Sequence, residues 1–245
     1  MIRMYGMTDR GKVRKMNQDS LYYGTNANQE SIMIVCDGIG GGNAGDVASF
    51  MAKETIAKEF EQKKPTKSVS QIKDWLRYAV EKANDEVFRA SSAKLEYKGM
   101  GTTVAGVLFS QNETFIFHCG DSRVYALYDG ELIALTEDHN LASDLVQAGE
   151  VSASQASAHP KGSMLTRALG VWNKVDPSIN KIKNNYQIIM VSSDGLHGFV
   201  SAALIQSILQ QDVSVEDKVH ELVRASNETG GYDNVTVIVA EKEGA

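Results

Sequence analysis

Hydrophobic and polar positions divide the chain into short alternating runs and longer helical faces. The first third carries strand-like segments at 2–8 and 21–24. Then comes the unbroken apolar run Ile32-Met-Ile-Val-Cys36, whose length and branching predict a buried strand. Two helices are expected next. Apolar positions at Met51, Ala52, Ile56 and Phe60, and again at Ile72, Leu76, Ala79, Val80, Ala83, Val87 and Ala90, each keep one face at helical spacing. Between them lies the polar stretch Lys63-Lys-Pro-Thr-Lys-Ser68, whose proline breaks helices.

Residues 102–135 read as successive hairpins. Strands at 102–109, 114–119, 123–128 and 131–135 are separated by Ser-Gln-Asn, Gly-Asp-Ser and Asp129-Gly130, all turn-prone. The segment 140–163 is less regular, with short helical stretches and no strong apolar face. Strands return at 178–183 and 187–191, and two helices follow. The second opens with Ser214-Val-Glu-Asp217, close to a capping box. A last alternating strand covers 234–240. No internal repeat or domain boundary interrupts the order, so residues 1–245 are expected to form a single domain. Antiparallel runs of strands with paired helices argue for an α+β protein built in layers, against a doubly wound parallel sheet.

Composition narrows the function. The chain is 245 residues long with a net charge of −6 and no extended Lys/Arg-rich run, so it lacks an electrostatic footprint for nucleic acid or anionic membrane. No apolar stretch approaches a membrane span, and the first residues lack the apolar core of a signal peptide, which points to the cytoplasm. Cys36 and Cys119 read as small buried hydrophobes in a reducing compartment.

The carboxylates are more informative. Two apolar strands run into Asp37-Gly38-Ile39 and Asp194-Gly195-Leu196. Asp121 occupies the Gly120-Asp-Ser-Arg123 turn, Asp233 directly precedes the last strand, and Asp19 ends the loop that contains Arg14. A carboxylate at a strand end, beside a residue that lets the backbone approach, offers a metal both side-chain and main-chain oxygen. Oxygen-only donors suit Mg²⁺ or Mn²⁺ and disfavour Zn²⁺. One Asp-Gly is usually a turn; five such sites are hard to assign to turns alone. Gly40-Gly-Gly-Asn-Ala-Gly45 matches the dinucleotide-binding glycine pattern, but no second strand with an acidic end follows its helix.

Motifs now fall into a known order. Thr8-Asp-x-Gly11-x-x-Arg14-x-x-Asn17-Gln-Asp19, Val35-x-Asp37-Gly38-x-Gly40-Gly41, Gly101-Thr-Thr103 and Gly120-Asp-Ser-Arg123 come first. Leu135-Thr-x-Asp138-His139, His159-Pro160, Leu165-Thr-Arg-Ala-Leu-Gly170, Ser192-Ser-Asp-Gly-Leu196 and Gly231-x-Asp233-Asn234-x-Thr236 follow. The ordered set, spanning Thr8 to Val239, resembles the metal-dependent (type 2C) protein phosphatases, bacterial branch.

That resemblance implies a four-layer α/β/β/α sandwich, with two antiparallel sheets face to face and a helix pair outside each. It implies a cytoplasmic, monomeric phosphatase acting on phosphoserine and phosphothreonine proteins of a cognate kinase. Two core Mg²⁺ or Mn²⁺ ions and a weaker third are expected. Asp37 resembles the bridging ligand, with Gly38 lending its carbonyl; Asp194 and Asp233 resemble ligands of one core ion. Asp19 resembles a water-mediated ligand of the other, and Asp121 with Asp194 resembles the holder of the third. Arg14 resembles the phosphate-binding arginine, and 140–163 a flap from which His159 could contact substrate.

The implied chemistry is coherent. Paired divalent ions lower the pKa of a shared water and polarise phosphoryl oxygens, so hydroxide attacks in line without a covalent intermediate. Asp37, Asp194, Asp233 and Arg14 are its expected catalytic set. The chain departs from family pattern at one point: Ile39 and Gly42-Asn43 stand where members carry a general-acid histidine. His118 and His197 lie near ligand positions and read as structural. Two other readings stay open: a catalytically weak phosphoprotein-binding module, and a hydrolase of small phosphoesters.

Overall fold

The computed structural model describes residues 2–39, 44–110, 112–157 and 159–242. Three strands come first, β1 (Ile2–Asp9), β2 (Asp19–Thr25) and β3 (Ser31–Ile39). Helices α1 (Gly45–Glu61) and α2 (Val69–Ala93) follow, then β4 (Gly101–Thr102), β5 (Val104–Ser110), β6 (Glu113–Cys119), β7 (Arg123–Tyr128) and β8 (Glu131–Ala134). Short helices α3 (Leu141–Gln147) and α4 (Ala153–Ser157) occupy the expected flap. Strands β9 (Ser178–Ile182) and β10 (Ile188–Ser192) lead to α5 (Asp194–His197), α6 (Ala202–Leu209), α7 (Val215–Glu228) and β11 (Val235–Lys242).

The strands form two antiparallel sheets, ordered β1-β11-β10-β7-β8 and β2-β3-β5-β6-β9, with β4 paired to β3. Side-chain alternation explains the layering. On β3, Ile32, Ile34 and Cys36 pack with Ala48, Ile56, Leu76 and Val80 of α1 and α2. Met33 and Val35 point the other way, into a core shared with Val124, Ile189, Val191 and Ile238 of the opposite sheet. Met190, Val237 and Val239 then face Ile205, Val219 and Leu222 of α6 and α7. A strand covered on both faces must be apolar throughout, which is why β3 and β10 read as unbroken runs.

Caps hold the helices where the sequence places them. Ser68 and Ser214 accept the backbone N–H groups of Gln71 and Asp217, at 3.2 and 3.1 Å. Asp129 (φ 49°) and Gly130 (φ 86°) make the tight β7–β8 turn.

Two expectations are corrected. Gly120-Asp-Ser is not a hairpin turn, because β6 pairs with β9 and β7 with β10; the chain crosses between sheets there. The strand expected at 102–109 breaks at Thr103, whose N–H donates to the Asp37 carbonyl. The helix pair expected outside the β10 sheet is present as α6 and α7, with the four-residue α5 that Asp194 opens beside it.

Candidate active site

The five aspartates lie on segments that meet at one end of the two sheets. Asp19 opens β2 and stands opposite Asp37 of β3 in the strand register. Asp121 is on the crossover between sheets, Asp194 starts α5 after β10, and Asp233 precedes β11. Their charges reach one another: burial first, then Asp19, Asp194 and Asp121, raises the Asp37 carboxyl, and burial first, then Asp233, raises Asp194.

Each carboxylate has its own support. Asp19 is 8% exposed, and its Oδ2 accepts from Ser193 and Thr236 hydroxyls, both at 2.7 Å. Its Oδ1 is buried with no hydrogen-bond partner. Asp37 is fixed through its backbone: its N–H donates to Thr103 Oγ1 at 3.0 Å, and its carbonyl accepts from Thr102 Oγ1 at 2.8 Å. Gly38 follows, boxed so tightly that a Cβ would collide with the Gly45 carbonyl oxygen and the Gln18 carbonyl. No other residue fits there.

Asn234 assembles the rest. Its amide nitrogen donates to the carbonyls of Arg10 and Met16, and its Oδ1 accepts from the Gln18 N–H, at 2.8–3.0 Å. The loop bearing Arg14 is thereby bound to the turn bearing Asp233. Arg14 Nη2 donates to Asp233 Oδ2 at 2.7 Å.

Packing so many carboxyls together is unfavourable without cations. Burial first, then like charge, pushes Asp19 and Asp121 up to about 7. Asp37 is driven well above the carboxylate range by burial and by its neighbours Asp19, Asp194 and Asp121, and burial raises Asp194 as well. Among the described residues no three or more His, Cys, Asp and Glu side chains form a metal-binding group by themselves. Mg²⁺ usually takes one or two carboxylates and completes its shell with water. An unpartnered buried oxygen, an all-oxygen donor set and excess negative charge fit such ions.

The segment expected to form a flap is rooted beside this cluster. Arg123 grips Asp138 with Nε and Nη2, each at 2.7 Å. His118 and His139 stack at 4.3 Å, His139 Nδ1 accepts the Gly120 N–H, and burial holds His139 down at about 4. His197, which burial depresses to about 3, contacts Ser192 Oγ. Burial lowers the pKa of all three rings, which serve as packed supports. His159 is exposed on the flap, its Nδ1 accepting the Lys161 N–H, and it makes no hydrogen bond to the five aspartates. Ile39 sits at the rim; Gly40, Gly41, Gly42 and Asn43 lie outside the described residues.

Sequence motifs included Thr103, Ser193, Asn234 and Thr236 without giving them roles. Their functions come from contacts across up to 224 positions, which no local pattern carries.

The family model of protein phosphatase 2C matches residues 9–239. The chain belongs to the protein phosphatase 2C family. It is therefore similar to enzymes that remove phosphate from proteins with the help of metal ions. The serine/threonine phosphatase stp of Listeria monocytogenes is 34% identical over 237 residues, covering 96% of this chain and 94% of the relative. The crystal structure of Stp1 from Staphylococcus aureus superposes with a TM-score of 0.93 at 30% identity, covering 100% of this chain and 96% of that one. A structure of the PstP catalytic domain in complex with two manganese ions has a TM-score of 0.82 at 30% identity, covering 98% and 97%. The chain is a metal-dependent protein phosphatase of this family.

Proposed function

We propose that this phosphatase hydrolyses phosphoserine and phosphothreonine in proteins at the five-aspartate cluster, using Mg²⁺ or Mn²⁺. The observation that carries the reading is Asp19 Oδ1, buried and unpartnered among carboxyls whose mutual repulsion calls for cations. In this reading Asp37, Gly38, Asp194 and Asp233 hold two core ions with Asp19 behind them, and Asp121 with Asp194 holds a weaker third. When bound, such ions activate a water and neutralise charge at the phosphoryl oxygens.

The chain's own groups do the rest. Thr102 and Thr103 fix the Asp37 backbone, Ser193 and Thr236 fix Asp19, and Asn234 sets the Arg14 loop. Arg14 is half exposed, so its fork can leave Asp233 to take two phosphoryl oxygens. His159 would contact the substrate protein when the flap draws in. The reading treats residues 1–245 as one catalytic domain and the protein as a cytoplasmic monomer opposing a kinase. Among the described residues no helix is long and apolar enough to cross a membrane.

Release of phosphate from a phosphothreonine peptide, with Mn²⁺ and with EDTA, tests the proposal. Unimpaired turnover in EDTA after extensive dialysis would overturn it. Binding without turnover would favour a phosphoprotein-binding module.

A further inference from the structure

The loop that carries Arg14 holds other cations. Arg10, Lys12 and Lys15 stand within the same six positions, all exposed, in a chain whose net charge is −6. Arg14 pairs with Asp233. Among the described residues Arg10, Lys12 and Lys15 make no salt bridge. The nearby Asp9 uses its Oδ1 to accept from the Gly11 N–H and from Asn227 Nδ2.

The loop is rigid. Asn234 bonds both of its ends, Lys12 and Val13 donate their N–H groups to the Gly231 carbonyl at 2.8 and 3.1 Å, and Arg10 Nη1 donates to the Lys15 carbonyl. The Lys12 stem also packs against Gly231. The backbone that bears these charges is thus fixed beside the group proposed to grip phosphate, so the loop itself needs little ordering when an anion arrives.

We propose that Lys12 and Lys15 form a second anion-recognition surface, which selects substrates carrying further negative charge next to the phosphorylated residue. The chemistry recognised is a carboxylate or a second phosphate on the substrate chain. The proposal rests on the phosphatase reading and adds a preference among phosphoproteins. Acid elsewhere on the enzyme repels such a substrate, so this loop sets the face on which it approaches.

The test compares three phosphothreonine peptides with neutral flanks, Asp/Glu flanks, or a neighbouring second phosphate. Each is assayed with Mn²⁺ at low and high salt, with wild type and the Lys12→Ala/Lys15→Ala variant. An exposed charge pair is worth about 0.2–1 kcal/mol, so two lysines should give the acidic peptides roughly a 2–30-fold advantage in kcat/KM. The variant should lose that advantage, mainly through KM, and high salt should erase it in wild type. Turnover of the neutral peptide and of p-nitrophenyl phosphate should change by less than about two-fold, the range of ordinary surface substitutions. A preference confined to the second phosphate would narrow the ligand to phosphate. Equal kcat/KM for all three peptides in wild type, or an equal loss on every substrate in the variant, overturns the proposal. No hydrolysis of p-nitrophenyl phosphate by wild type would remove the phosphatase reading itself, and this surface with it.

Discussion

Asp19 and Asp37 face each other across β2 and β3 as directly paired residues of an antiparallel ladder. Like charges in that position repel, and burial strengthens the effect. In the metal-free protein the conflict is relieved by protons: burial and like charge push Asp19 up to about 7 and raise Asp37 well above the carboxylate range. Cations have to displace those protons.

Metal affinity should therefore rise with pH. Below about pH 7 the raised groups, Asp19 and Asp121 among them, are protonated and compete with the ion; above it they are free. Each proton displaced should weaken Mn²⁺ binding by up to about tenfold per pH unit on the acid side. Calorimetric titration of Mn²⁺ at pH 6, 7 and 8, in buffers of different ionisation enthalpy, measures both the affinity and the protons released. Affinity independent of pH would contradict the site.

Asp37→Asn should abolish turnover and leave the fold intact, because an amide has the same shape and relieves the strain that burial and the neighbouring carboxyls put on a charge there. The melting temperature without metal should stay level or rise. Asp121→Ala should lower turnover and spare the two tight Mn²⁺ sites, as the calorimeter would show.

Arg14→Ala should chiefly raise KM for phosphopeptides. Arg14→Lys should recover little, since an ammonium cannot reproduce the fork. The pair with Asp233 is half exposed, so stability should fall by less than about 1 kcal/mol. Unchanged KM in both variants would return Arg14 to the role of a surface-loop residue.

Leaving-group protonation should be the weak step. General acid assistance is typically worth about 10²–10⁴-fold, and Ile39 offers no proton. Aryl phosphates, which leave as stable phenolates, should be favoured strongly over phosphothreonine peptides, with kcat falling steeply as leaving-group pKa rises. Ile39→His should flatten that dependence. His159→Ala should raise KM for phosphopeptides and leave aryl phosphates unaffected.

At the far end of β3, Lys63 Nζ bonds both Glu30 oxygens at 2.8 Å, and Ser110 and Asn26 also donate to the same carboxylate. Lys63→Ala leaves that charge buried without a counter-ion, which should cost about 3–5 kcal/mol in urea denaturation. Glu30 lies seven positions from Asp37, about 23 Å along an extended strand, so kcat should not change under folding conditions.

Much of this architecture is legible in the chain because burial leaves a periodic trace. Runs such as 32–36 mark strands covered on both faces, and Ile72 to Val87 mark one face of α2. The aspartates are legible as punctuation after those strands. Sheet membership is not. Nothing local distinguishes Asp129-Gly130, which reverses a hairpin, from Gly120-Asp121-Ser122, which carries the chain to the other sheet. The Arg14–Asp233 pair spans 219 positions and leaves no mark on either neighbourhood. Lys12 and Lys15 look like ordinary surface charge until the loop is seen folded against Gly231.

Thr236, which hydrogen-bonds Asp19, comes 217 positions after it. At a synthesis rate of about 5–20 residues per second, roughly 10–40 s separate the emergence of one from that of the other. For that interval β2 and β3 can pair, yet Asp19 lacks the hydroxyls that orient it and Arg14 lacks the turn that holds its loop. Such distant contacts also slow folding, since loop closure precedes any gain from them. A growing chain is thus kept from acting on phosphoproteins around the ribosome, and the enzyme switches on as a whole when β11 slots between β1 and β10.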